Sequence, residues 1–120
     1  MGMVFYWYPN CSTCRNAKKW LDANDLAYES VHIVEQTPSK EEILKLIETS
    51  GLPGKKFFNT SGKKYRELGM KDKMKDLSTD EMAAYLASDG MLIKRPIVTD
   101  GTHVTVGFNE NVFKNTWLNQ

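Results

Sequence analysis

Cysteine is scarce in this chain, with two in 120 residues, Cys11 and Cys14. That excludes a disulfide-stapled scaffold, which needs several bridges. A chain of this length can bury a core without one. An excess of charge of one sign is also missing. Sixteen Lys and Arg stand against fifteen Asp and Glu, a net of +1, so no bulk charge draws the chain to nucleic acid or to an anionic membrane surface. No apolar run reaches 18 residues, so no transmembrane helix is expected. The stretch Met1–Phe5 places no basic segment ahead of a long apolar run, so no secretory signal is expected either. These absences lead to the expectation of a cytoplasmic protein. The four prolines and eight glycines are scattered, leaving no linker and no low-complexity segment. At 13.7 kDa the expectation is a single domain over 1–120, too small to carry a separate cofactor domain.

The patterning that is present starts with Met3 to Tyr8, an apolar and aromatic run whose length suits a strand buried on both faces. Pro9-Asn10 breaks it. Cys14, Ala17, Trp20, Leu21 and Asn24 then fall on one helical stripe, with Asn10 or Ser12 as candidate caps. Ala27 to Val34 reads as a second strand. Ser39 and Glu42, and again Ser78 and Glu81, have capping-box spacing ahead of apolar helical faces that run towards Gly51 and Gly90. Between them lie a basic, turn-rich stretch and short helical pieces at Tyr65–Leu68 and Lys71–Leu77. Ile97–Thr99 and His103–Val106 flank Asp100-Gly101 as a hairpin with a type I′ turn. Asn109 is placed to cap a last helix that turns Val112, Phe113, Thr116 and Trp117 inward. The order is β-α-β, a helical block over about 38–89, then β-β-α. The expected fold class is α/β with a thioredoxin- or glutaredoxin-like architecture, a helical insertion in its middle and the cysteine pair at its first strand-to-helix turn.

The chemistry of the pair follows from that turn. The thiolate is the attacking species, and an ordinary thiol is mostly protonated at neutral pH. Cys11 at a helix N-terminus faces unpaired backbone N–H groups and the positive end of the helix dipole. Arg15, Lys18 and Lys19 add positive charge one or two turns on. Cys14, one turn inside, is expected to be more buried and less reactive, and is spaced to attack a mixed disulfide formed at Cys11. Zinc is the chemical rival. It takes four N/S ligands, and a second pair would have to come from His32 and His103, which belong to different predicted strands. Two buried cysteines acting only as packing are the third reading. In Lys94-Arg95-Pro96-Ile97, Pro96 just before a strand is a candidate cis turn. A thioredoxin-like fold would set Arg95 beside Cys11 as a thiolate partner or oxyanion clamp. A solvated arginine beside a strand-edge proline is the simpler alternative. The lysine pairs Lys55-Lys56 and Lys63-Lys64 read as a solvated face or a hold on an acidic partner.

Taken in order, Tyr8-Pro9-Asn10-Cys11-Ser12-Thr13-Cys14-Arg15-Asn16-Ala17, Phe57-Phe58-Asn59-Thr60-Ser61-Gly62 and Leu92-Ile93-Lys94-Arg95-Pro96-Ile97 resemble the arsenate reductase (ArsC)/Spx/MgsR family over essentially the whole chain. The likeness is greatest to its small YusI-type branch. The resemblance implies a thioredoxin-like fold with a helical insertion, Cys11 as the family's cysteine, Arg95 as its arginine and Pro96 as its cis proline. Glutaredoxin-coupled members carry Ser or Thr where this chain has Cys14, and bind arsenate with three arginines. Here about Asn59 and about Val106 occupy the other two arginine positions, and Trp7 stands for a histidine. Losing two of three charge-assisted donors weakens a buried oxyanion site, so arsenate reduction proper is the least expected activity. The Cys-x-x-Cys resembles the redox switch of Spx-type regulators, which bind the C-terminal domain of the RNA polymerase α subunit through a glycine matched by Gly51 or Gly54.

The expected function is therefore a thiol–disulfide oxidoreductase with catalytic Cys11, Cys14 and Arg95, supported by Pro96 and Arg15. No cofactor is expected to be tightly bound, and glutathione or a thioredoxin/glutaredoxin would be the thiol donor. The alternative is a redox-sensing regulator docking on the RNA polymerase α subunit. Direct nucleic-acid binding and membrane association are not expected, and a monomer is the default.

Overall fold

The computed structural model describes residues 2–118. In chain order its elements are β1 (Met3–Trp7), α1 (Ser12–Ala23), β2 (Tyr28–His32), α2 (Lys40–Ser50), α3 (Lys63–Glu67), α4 (Met70–Lys73), α5 (Thr79–Ser88), β3 (Ile97–Thr99), β4 (Val104–Val106) and α6 (Glu110–Phe113). Short 3-10 turns lie at Gly54–Phe57, Met74–Asp76 and Gly90–Leu92, and a π-helical turn over Lys114–Leu118 continues α6. The chain forms two compact units. One holds everything up to His32 and from Arg95 onward, the other Ile33–Lys94. The α/β class and the β-α-β, helical block, β-β-α order are as expected.

The first unit contains the whole sheet, in the order β2-β1-β3-β4. β1 runs parallel to β2, with Trp7 opposite His32, and antiparallel to β3, with Tyr6 opposite Ile97. A parallel pair needs a crossover, and α1 provides it. β1 is less enclosed than its composition suggests. Phe5 and Tyr6 at its centre are buried on opposite faces, while Met3, Val4 and Trp7 are half-buried. Beneath it lies a core of Phe5, Ala17, Leu21, Val98, Phe113 and Trp117. Cys14, Ala17 and Leu21 are the buried stripe of α1, as the spacing requires. The buried Trp117 indole N–H donates to Thr105 Oγ1 at 3.3 Å, which satisfies a donor that would be costly to leave unpaired.

Three local expectations are corrected here. Neither Asn10 nor Ser12 caps α1, because Cys11 is itself the N-cap and makes no side-chain cap bond. The β3–β4 connection is not a two-residue type I′ turn. Such a turn needs positive φ at both central residues, and Asp25 is the one non-glycine with positive φ among the described residues. Instead four residues, Asp100–His103, span the gap from Thr99 to its partner Val104. Asp100 Oδ1 accepts from the N–H groups of Thr102 (2.9 Å) and His103 (2.7 Å), an Asx arrangement that replaces the tight turn. Finally, Val112 points outward at 48% exposure. It precedes the buried Phe113 by one residue, a rotation of about 100° on a helix.

The second unit is organised by the two expected capping boxes. Ser39 Oγ accepts from Glu42 N at 3.2 Å while the Glu42 carboxylate accepts from Ser39 N at 3.3 Å. Ser78 and Glu81 do the same at 3.1 and 2.9 Å. The helices they start, α2 and α5, pack together and bury Ile43, Leu46, Ile47, Ala83 and Leu86. Gly51 ends α2 in the left-handed conformation, φ +71°. A short antiparallel ladder, with Asn59 N on Leu92 O and Lys94 N on Phe57 O (2.8 Å each), joins the two ends of the block. Gly90 is buried where a Cβ would stand 2.1 Å from the Ile33 carbonyl oxygen.

Candidate functional site

The site lies at the end of β1 within the first unit. Tyr8, Pro9, Asn10 and Cys11 make a tight turn closed by Cys11 N donating to Tyr8 O at 3.0 Å. The first bond of α1 runs from Arg15 N to Cys11 O at 3.0 Å. An oxygen-bearing N-cap would occupy the first-turn N–H groups. Cys11 makes no such bond, and the Cys14 backbone N–H is the one among them that favours its anion.

Sheet register brings Arg95 to the same place. β3 is antiparallel to β1, so residues just before Ile97 lie beside residues just after Tyr6. Arg95 therefore meets the Tyr8–Cys11 turn. Pro96 is buried, its carbonyl accepts from Gly107 N at 2.8 Å, and the Arg95–Pro96 peptide is cis. The guanidinium lies over the Tyr8 ring, 5.0 Å from its centroid. On the other side of β1 the parallel register sets His32 opposite Trp7, and the His32 ring meets Tyr8 edge-on at 5.7 Å.

This arrangement splits the two thiols. Burial pushes the half-exposed Cys11 thiol up, but the Cys14 N–H, the Cys14 thiol, and the charge and hydrogen bond of Arg95 outweigh it, so its pKa lies below the ordinary thiol value. Cys14 is fully buried and its pKa is pushed up to about 12, first by burial and then by the hydrogen bond and charge of Cys11, against the Tyr8 N–H and Arg95. The pair is therefore a half-exposed thiol whose anion is favoured and a buried thiol that holds its proton. No disulfide joins Cys11 and Cys14 in this structure.

The cation that acts on Cys11 is Arg95. Arg15 Nη1 donates to Pro9 O at 2.9 Å on the outer side of the turn, and Lys18 is drawn to Asp22 at 3.0 Å. Tyr8 is the residue that sequence reasoning passed over, reading it as the end of the apolar run of the first strand. Its carbonyl, N–H and ring hold Cys11, Cys14 and Arg95 respectively. Its place directly before Pro-x-Cys was the available signal. Replacing Arg95 by Gln removes the cation that stabilises the anion, so the Cys11 pKa rises. The iodoacetamide alkylation rate at pH 7 should fall by roughly tenfold, a low-end effect for an opposite charge in direct contact, and the midpoint of its pH profile should move up. An unmoved midpoint would remove Arg95 from the site.

His103 is engaged elsewhere, with Nδ1 3.3 Å from Asp100 Oδ2 and its ring against Trp117. Among the described residues no group of three or more His, Cys, Asp and Glu is placed to hold a metal. In the second unit, Gly51 is exposed at the end of α2. Gly54 is buried against Met82, whose sulfur would stand 2.9 Å from an added Cβ. Asn59 is half-buried in that unit's ladder, and Val106 is half-buried in β4. Among the described residues no helix is long and apolar enough to cross a membrane.

These features can be set against known proteins. The uncharacterized protein YusI of Bacillus subtilis is 59% identical over 117 residues, covering 98% of this chain and 99% of its own. The global transcriptional regulator Spx of Lactiplantibacillus plantarum is 28% identical over 109 residues, 91% of this chain and 81% of that one. The crystal structure of an ArsC-family-related protein from Bacteroides fragilis superposes with a TM-score of 0.91 at 44% identity, covering 96% of this chain and 98% of the other. The ArsC family model matches residues 6–116, and the chain belongs to the ArsC family.

Proposed function

We propose that this protein is a thiol–disulfide oxidoreductase working through Cys11 and Cys14. The observation that carries the reading is the division of the two thiols, a stabilised thiolate at the N-cap of α1 and a buried thiol one turn inside it. Cys11 S⁻ attacks one sulfur of a substrate disulfide, forming a Cys11–substrate disulfide and expelling the other sulfur as thiolate. The Cys14 thiol passes its proton to the thiolate already expelled, and the Cys14 thiolate attacks the Cys11 sulfur, breaking the Cys11–substrate bond. The second substrate thiolate leaves, and the pair is oxidised to a disulfide while the substrate gains two electrons. A small thiol such as glutathione, or a thioredoxin-type protein, returns the electrons. Arg95 steadies the thiolate at Cys11 and no bound cofactor takes part.

The test is a redox titration of the pair, read by alkylation and mass. A reversible intramolecular disulfide with a potential in the range of cellular dithiol proteins, roughly −200 to −300 mV, is the expected result. No disulfide under oxidising conditions that leave the fold intact would overturn the reading.

The similarity to Spx favours a second reading, a redox-sensing regulator that docks on RNA polymerase through its α subunit and turns nothing over. Capture of the purified C-terminal domain of that polymerase chain, dependent on the Cys11–Cys14 disulfide and without turnover of a disulfide substrate, would select it. Arsenate reduction has less support, because Arg95 is the only one of the family's three arsenate-binding arginines matched in this sequence.

A further inference from the structure

We propose that a basic cavity in the Ile33–Lys94 unit is a docking site for an acidic segment of a partner protein, anchored by one aromatic side chain. The cavity holds about 270 Å³ and is lined by Lys55, Lys56 and Lys94 around Phe58, Tyr65 and Met74. That is just below the usual range of small-molecule sites, ~300–1,000 Å³, and suits one large side chain better than a whole cofactor.

The lining is built on fixed backbone. Phe58 and Lys94 stand on the two sides of the ladder that pairs Phe57–Asn59 with Leu92–Lys94. Lys55 and Lys56 belong to the 3-10 turn that leads into it. Phe58 and Tyr65 are buried and meet edge-to-face at 6.2 Å, so the floor is an aromatic surface with the Met74 thioether beside it. Such a floor favours a further ring.

Charge points to the rest of the ligand. From Lys55 to Lys75 there are eight Lys and Arg and two carboxylates, a net of +6 in a chain whose total is +1. Lys63 and Lys64 have carboxylates within 4.0 Å, Glu67 and Asp89. Among the described residues no ion pair involves Lys55, Lys56 or Lys94. Three ammonium groups around one opening repel each other, and a ligand carrying carboxylates relieves that repulsion. Thr60 adds a hydroxyl to the lining. A ring in the pocket with Asp or Glu on either side satisfies floor and rim together, the pattern of an aromatic anchor within a polar rim.

The site uses no residue of the thiol chemistry, so its test is independent of that reading. The probe is a fluorescent dodecapeptide with one central Phe flanked by Asp and Glu, titrated by anisotropy against the full chain. Saturable binding is expected, at least about tenfold weaker when the peptide Phe is Ala. Replacing Lys55, Lys56 and Lys94 together by Gln should weaken binding by roughly tenfold or more. Replacing Lys45, Lys71 and Lys75, which lie outside the lining, should cost less than about threefold. Thr60→Glu should also weaken it, by like charge at the exposed rim. Cys11→Ser should bind as the wild type does. Thermal unfolding of each variant establishes that it is folded. Absence of saturable binding overturns the proposal. So does equal loss in the two lysine triples, which would mean bulk charge, or indifference to the peptide ring. Tighter binding of a single-stranded oligonucleotide of the same charge, competing with the peptide, would overturn it in favour of a nucleic-acid surface.

Discussion

Cys14→Ser should convert the protein into a trap. With a disulfide-bonded protein or peptide substrate, the variant should accumulate a mixed disulfide at Cys11, visible by mass under non-reducing conditions. Turnover should fall by at least about a hundredfold, because a hydroxyl cannot resolve the adduct. Cys11→Ser should form no adduct at all. The asymmetry follows from the environments of the two sulfurs. In the resting pair, the hydrogen bond and charge of the Cys11 thiolate help hold the Cys14 proton on. Once Cys11 is tied up in a mixed disulfide that anionic contribution disappears, while the Tyr8 N–H and the Arg95 charge still favour the anion. The Cys14 pKa then drops at the moment its thiolate is needed. Serine retains a donor towards Cys11, so alkylation of Cys11 in Cys14→Ser should stay fast at pH 7. Adducts appearing equally at both positions, or full turnover by Cys14→Ser, would sink the division of roles.

Gly90→Ala should be strongly destabilising. The added Cβ would stand 2.1 Å from the Ile33 carbonyl oxygen and 2.8 Å from its carbon, and a carbonyl cannot rotate away as a side chain can. Backbone must move, at a cost of about 3 kcal/mol, the upper end of the usual range for overpacking, which lowers the thermal midpoint by roughly 10–20 °C in a domain of this size. Gly51→Ala is the control. It meets nothing within 4 Å and suffers only its left-handed φ of +71°, worth about 1 kcal/mol. If the two variants melt within a few degrees of each other, the close approach at Gly90 is not a real constraint.

Gly90 also marks where reading the chain stops being enough. As a residue closing a helix it looks like any glycine after a capped apolar pattern. Here Asp89 ends α5, and Gly90 is small because the Ile33 backbone, far away in sequence, passes against it. The Asp100-Gly101 dipeptide misled for a related reason. Its local preference is a two-residue turn, but the pairing of Thr99 with Val104 demands four connecting residues, and the Asp100 side chain supplies the missing bonds. The capping boxes at Ser39 and Ser78 were legible because both partners lie within three residues. The α1 stripe was legible because its period is set by the helix itself.

The sequence by itself determined the α/β class, the element order, the cysteine pair at the first strand-to-helix turn and the family, all carried by local periodicity, capping chemistry and motifs in fixed order. Tertiary structure decided which cation serves Cys11. Arg15, Lys18 and Lys19 are near it along the chain, yet Arg15 turns to Pro9 and Lys18 to Asp22. Arg95, 84 positions away, arrives because β3 pairs antiparallel with β1 and the Tyr8 ring supports its guanidinium. A charge acts through space at a few ångströms, and only strand register sets that distance.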